Sequence, residues 1–191
     1  MGGTLELPAR ELVLVDGGDG GHLVVEPPRA VWERSELAAG ELAAWSCLVA
    51  AAGRAMLETL PQLEGGCINY WEAGNWSLHA DAPPAGAKSP RRHRKVHLHL
   101  LGRSPAARSP ALRWGEAPSF PDYADRLRWA ASNRRLEARD CVAIVGRTAE
   151  LLRRQYGFEP AQIAPGIVCE ACGYPTAEAG ATTRCSECPA R

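Results

Sequence analysis

The nine residues Lys95-Val96-His97-Leu98-His99-Leu100-Leu101-Gly102-Arg103 constrain this chain more than any other stretch. Apolar and polar residues alternate strictly from Lys95 to Leu100. Such a period of two belongs to a half-buried β-strand, with Val96, Leu98 and Leu100 on one face and Lys95, His97 and His99 on the other. A buried His97 beside a solvent-exposed Leu98 would refute that register. Two imidazoles on one strand face, next to a run of cations, form a site able to hold and attack a phosphate. The plainer reading is a strand whose outer face carries histidines.

The cations are Lys88, Arg91, Arg92, Arg94 and Lys95, with His93 among them. A charge run is usually a solvated face. This one abuts the histidine strand, which makes Arg91 and Arg92 candidate anion ligands. The chain as a whole is neutral, with 22 basic and 22 acidic residues. A nucleic acid or anionic surface is therefore not indicated as a partner of the whole protein, and any basic site is local. No apolar run approaches membrane-spanning length and no basic-apolar leader opens the sequence, which predicts a cytoplasmic protein with no membrane partner.

The 191 residues suggest one main domain, residues 1–160, with a small appendage, residues 161–191. Residues 11–15 and 22–26 read as a hairpin around Asp16-Gly17-Gly18-Asp19-Gly20-Gly21. Those glycines lead into a strand rather than a helix, which argues against a phosphate-cradling loop. Ser35 is a candidate N-cap for a helix running from Glu36 to about Leu60, stopped by Pro61. Its buried stripe would be Leu42, Trp45, Val49, Ala52 and Met56, which makes Trp45 a core residue rather than a stacking platform, and Cys47 a small core residue. A third strand, 66–71, leads into Asn75 and Ser77. Asn69, Asn75 and Ser77 are neutral groups suited to sugar hydroxyls or phosphate oxygens, or to ordinary turns. Two further helices are predicted, 122–136 and 138–156. The second carries the stripe Val142, Val145, Ala149 and Leu152, buries Cys141, and has Gly157 at its C-terminal cap. The expected fold class is α+β: a mainly antiparallel sheet of 11–15, 22–26, 66–71 and 95–101, with the helix from Glu36 across one face and the histidines lining a cleft on the other.

Of the seven cysteines, Cys169, Cys172, Cys185 and Cys188 form two Cys-x-x-Cys pairs. Four thiolates at this spacing suit a tetrahedral structural zinc with no coordination position open for chemistry; redox-active or disulfide-bonded cysteines are the alternatives. About 30 residues cannot build a core, so the metal would supply the folding energy, on the order of 10–16 kcal/mol.

Together these stretches resemble the histidine triad superfamily of nucleotide hydrolases and transferases. Gly21-His22-Leu23-Val24-Val25-Glu26-Pro27 resembles that family's first core strand, which opens on a functional histidine and ends in proline. Val96 to Arg103 resembles its signature strand, in which three histidines alternate with apolar residues. The likeness spans roughly residues 11–104. It implies a nucleotidyl-histidine mechanism with His97 as nucleophile, His99, His22 and Lys95 around the reacting phosphorus, and Asn69 on the nucleotide. It also implies a nucleotide substrate, such as a dinucleoside polyphosphate, and a homodimer. The chain departs from the pattern twice: Lys95 stands where the first histidine belongs, and residues 80–94 are inserted before the signature strand. A second reading from a different class follows from Lys95 and the zinc ribbon: a nucleotide- or nucleic-acid-binding module that has lost turnover. A third is a metal hydrolase with His97 and His99 as ligands.

Overall fold

The computed structural model describes residues 20–72, 80, 86–90, 95–119, 136, 138–159, 167–168 and 175–176. Strand 11–15, the predicted helix 122–136 apart from Leu136, Asn75, Ser77, Arg91, Arg92 and the four paired cysteines lie outside the described residues.

The architecture is α+β. Strands β1 (His22–Val25), β2 (Cys67–Trp71) and β3 (Leu98–Arg103) form an antiparallel sheet in the order β1-β3-β2, so the histidine strand is the central one. Helices α1 (Ala39–Thr59) and α2 (Ala138–Tyr156) pack together and contribute to one core with the sheet. A two-residue antiparallel pair, β4 (Ile167–Val168) with β5 (Pro175–Thr176), lies further along the chain. Among the described residues, no helix is long and apolar enough to cross a membrane.

Alternation decides which side of the sheet becomes core. Leu23 and Val25 from β1, and Val96 and Leu100 from β3 and its lead-in, are buried against Trp45, Leu48, Ala52 and Met56 of α1 and Ile144 and Leu152 of α2. Leu98 is half-buried and packs on the same cluster. The predicted register therefore holds. The strand itself runs later than 95–101: Lys95 to His97 precede β3, where the Val96 N–H donates to the Val31 carbonyl at 3.0 Å.

The first helix starts three residues later than predicted. A short 3₁₀ turn, Arg34–Glu36, takes up Ser35, and Ala38 caps α1. Alanine offers no acceptor, so the cap works from the other side: Glu41 accepts the Ala38 N–H at 2.8 Å and is itself held by Arg29. Pro61 ends the helix as expected by opening a second 3₁₀ turn. Helix α2 has the predicted bounds but a rotated stripe. Cys141, Ile144, Val145, Thr148, Leu151 and Leu152 are buried, whereas Val142 is 60% exposed. The spacing of 141, 144, 148 and 151 is as helical as that of 142, 145, 149 and 152. Packing buries the first set together with Val145 and Leu152 of the second, and the Thr148 hydroxyl is satisfied within the helix by donating to the Ile144 carbonyl at 2.7 Å. Gly157 has φ of +68°, and Phe158 N–H reaches back to the Leu152 carbonyl, closing the helix end.

Gly66 is required where β2 begins. A Cβ there would lie 2.2 Å from the Arg103 carbonyl oxygen, the point at which β2 and β3 come together.

Candidate functional site

His22 of β1, His99 of β3 and His97 just before β3 meet on the sheet face opposite the helices. On that face the cross-strand rows are His22–Leu101–Asn69 and Val24–His99–Trp71. His22 and His99 are thus diagonal neighbours on antiparallel strands, close enough for their rings to touch. His22 Nε2 lies 2.9 Å from His99 Nδ1, His99 Nε2 lies 2.9 Å from His97 Nε2, and His97 Nδ1 lies 2.9 Å from the Lys95 carbonyl oxygen. The sequence placed these histidines around an open cleft. In fact His22 and His97 are buried, 8% and 7% exposed, and His99 is the partly exposed member through which the cluster meets its surroundings.

The tautomers follow from the one partner that can only accept. The Lys95 carbonyl requires the proton of His97 on Nδ1. A neutral His97 then carries its lone pair on Nε2, so His99 must donate from Nε2. A neutral His99 in turn accepts at Nδ1, and His22 donates from Nε2. All three hydrogen bonds therefore point from His22 toward Lys95. The same geometry accommodates one added proton on His99, which then donates to both neighbours, provided that His22 stays neutral and turns its Nε2 lone pair toward His99. Burial enforces that neutrality: it is the main reason the His22 pKa falls from the usual 6.5 to about 3, with the repulsion of a charge on His99 or His97 adding to the effect.

The arrangement is a chain rather than a cage. Both nitrogens of His99 face other imidazoles, and His22 and His97 approach it from different sides. Three donors converging on one ion would need their lone pairs aimed at a common point. Among the described residues no group of three or more histidine, cysteine, aspartate or glutamate side chains is arranged to hold a metal.

Lys95 joins the site through its backbone alone; its side chain is exposed. Asn69 lies on the histidine face, and its Oδ1 accepts from Arg103 Nη1 at 2.7 Å. The amide oxygen is thereby committed, and the NH2 end remains the donor end of an exposed side chain. Arg103 was missed as a site residue. It is 4% exposed, and its Nη2 donates to the carbonyls of Arg113 at 2.8 Å and Glu116 at 2.7 Å, clamping the 110–116 turn beside β3. Trp71 was missed as well. Its ring rests on His99 with centroids 5.4 Å apart and a 34° tilt. Strand periodicity held the signal for both, since Arg103 lies two residues past Leu101 and Trp71 two past Asn69 on the same face.

No protein-family model, no curated protein and no solved structure matches this chain.

The neutrality of His22 makes stability pH-dependent with a definite sign. Between about pH 6.5 and about pH 3 the unfolded chain binds a proton at this residue and the folded chain does not. The contribution is present in full above pH 6.5 and is lost as the pH falls toward 3, amounting to on the order of 5 kcal/mol across the window. Urea unfolding of wild type and His22→Gln at pH 7.5, 5.5 and 4 checks this. The wild type should lose stability more steeply on acidification, and parallel pH profiles would contradict the burial of a neutral His22.

Proposed function

We propose that this protein is a histidine-triad-like nucleotide phosphohydrolase or nucleotidyl transferase, with His97 as nucleophile. The observation that carries the reading is the directed imidazole chain ending on the Lys95 carbonyl. A main-chain oxygen bound to Nδ1 leaves the lone pair of His97 on Nε2, the nitrogen that would attack phosphorus, and the oxygen stabilises the positive charge that ring acquires as the N–P bond forms. Because a carbonyl does this work, a lysine in place of the first family histidine need not abolish it.

The steps balance with this chain's own groups. Substrate enters with His99 protonated, and the His99 Nε2–H turns from His97 to the leaving oxygen. His97 Nε2 forms a bond to the α-phosphorus, the bond from phosphorus to the leaving oxygen breaks, and that oxygen takes the His99 proton. His99, now neutral, keeps its Nδ1–H on His22. Water or another acceptor then attacks the nucleotidyl-histidine, gives its proton to His99 Nε2, and releases His97. Asn69, held by Arg103, supplies an amide donor on the same face. Asn75, Ser77, Arg91 and Arg92 remain proposed phosphate or sugar ligands. One well-placed donor to the developing charge is typically worth about 3–4 kcal/mol.

The reading extends to the tail and the assembly. The β4–β5 pair joins the chain just before Cys169 to the chain just after Cys172. Cys169 and Cys172 fall between β4 and β5 in the sequence, and with Cys185 and Cys188 downstream they are a donor set suited to a structural zinc in a ribbon spanning roughly 161–191. The metal would hold the tail together and take no part in the reaction. A homodimer and a cytoplasmic location complete the proposal.

Intact-mass measurement after mixing with a dinucleoside polyphosphate, quenched rapidly without acid, tests the chemistry. Wild type should carry a nucleotidyl adduct and His97→Ala should not, while nucleotide affinity in the variant stays within a few-fold of wild type. An adduct that persists in His97→Ala and disappears in His99→Ala would move the nucleophile two residues along the strand. A wild type that binds nucleotide and forms neither adduct nor product would support the binding module instead. Metal analysis of the reduced protein should find about one zinc per chain. Cys172→Ser should lose it and leave the thermal transition of the sheet domain in place; metal-free wild type would refute the zinc site.

A further inference from the structure

Among the described residues, Trp71 is the large side chain that lies against the partly exposed end of the histidine chain. It touches His99, the partly exposed imidazole, yet 44% of its own surface remains accessible. The row it belongs to runs from buried Val24 through His99, so exposure rises along the row and ends on a flat aromatic ring.

That ring sits on an anchored backbone. Its neighbour Tyr70 points to the helix side of the sheet, where the hydroxyl lies so close to Gly53 of α1 that a Cβ there would come within 2.2 Å of it. The next residue, Glu72, is ion-paired with Arg34, and the Arg34 guanidinium lies over the ring of Trp45, 5.1 Å from its centroid. Trp45 is 1% exposed in the core. The end of β2 is therefore tied to α1 immediately before and after Trp71. A rigid, half-exposed indole beside a proton-donating imidazole is a stacking surface for a planar group, since aromatic faces pair in offset or tilted geometry with little entropy to lose.

Resting on the phosphoryl-transfer reading of this site, we infer that Trp71 selects the substrate by stacking on an aromatic ring carried by the leaving group. The side of the site is set by His99. The group that receives the His99 proton is the leaving oxygen, so what lies against Trp71 is the portion of substrate beyond that oxygen. The preferred class is a nucleotide whose leaving group ends in a planar base, over one ending in a bare phosphate or sugar.

The probe pair is diadenosine triphosphate and its analogue with one adenine missing, so that the second end is a ribose alone. The phosphate chain and the reacting bond are then the same. Affinities are measured by calorimetry on the full-length protein, and turnover is followed separately in the same solutions. Wild type should bind the two-base compound roughly ten- to a hundredfold more tightly, the range expected for one stacked base. Trp71→Phe should keep most of that gap, and Trp71→Ala should close it while leaving the affinity for the one-base analogue within a few-fold. Equal affinity of wild type for the two compounds overturns the proposal. So does a gap that survives in Trp71→Ala, or an equal loss on both compounds, which would mean that the indole only supports His99. Turnover bears on the other reading: a Trp71-dependent affinity gap without product or adduct would keep the stacking role and remove the phosphoryl transfer.

Discussion

The hydrogen bond from His97 Nδ1–H to the Lys95 carbonyl sets the polarity of everything around it. A carbonyl oxygen cannot donate, so this contact alone decides where the proton of His97 sits. The direction then passes from ring to ring through His99 to His22. Histidine chemistry usually depends on side-chain neighbours that can themselves change protonation. Here the terminal partner is a peptide group, whose state does not vary with pH. The other end of the chain is nearly as fixed, because burial keeps His22 neutral down to about pH 3. Between these two ends His99 is the member whose two ring nitrogens both face other imidazoles.

The sheet makes this arrangement possible by placing β3 in the centre. A strand paired on both edges has its register set twice, by β1 through Leu23–Leu100 and by β2 through Tyr70–Leu100. A slip of one residue would send His99 into the helix-packed core and Leu100 out of it. The hydrophobic burial that stabilises the fold thus also fixes the imidazole positions. Glycine completes the fit at the far end, since Gly66 lets β2 approach the backbone of Arg103. Arg103 then ties β3 to the 110–116 turn and to Asn69.

Period-two alternation made the outline legible. Val96, Leu98 and Leu100 could be assigned to one face and the histidines to the other without any structure, and the 3.6-residue pattern located both helices. Less visible was what tertiary contact decides. The buried face of helix α2 is wider and turned from the stripe the spacing suggested: Val145 and Leu152 are buried as expected, but tertiary packing adds Cys141, Ile144, Thr148 and Leu151 and leaves Val142 exposed. The cap of α1 lay hidden because Ala38 has no capping side chain and Glu41 supplies the bond instead. Lys95 read as a cation near phosphate; the contact that it makes with the histidine chain is through its carbonyl, a group that every residue carries and no sequence pattern marks. Trp71 and Arg103 gained their roles from neighbours across the sheet, which become specific only once strand order and register are known.

Nitrogen NMR of the histidine rings, in protein labelled at histidine and held slightly above neutral pH, tests the directed chain most directly. His97 should be protonated at Nδ1 and bare at Nε2, and His22 and His99 should carry their protons on Nε2. A His97 protonated at Nε2 with a bare Nδ1 would contradict the account, because the Lys95 bond and the attacking lone pair would both be lost.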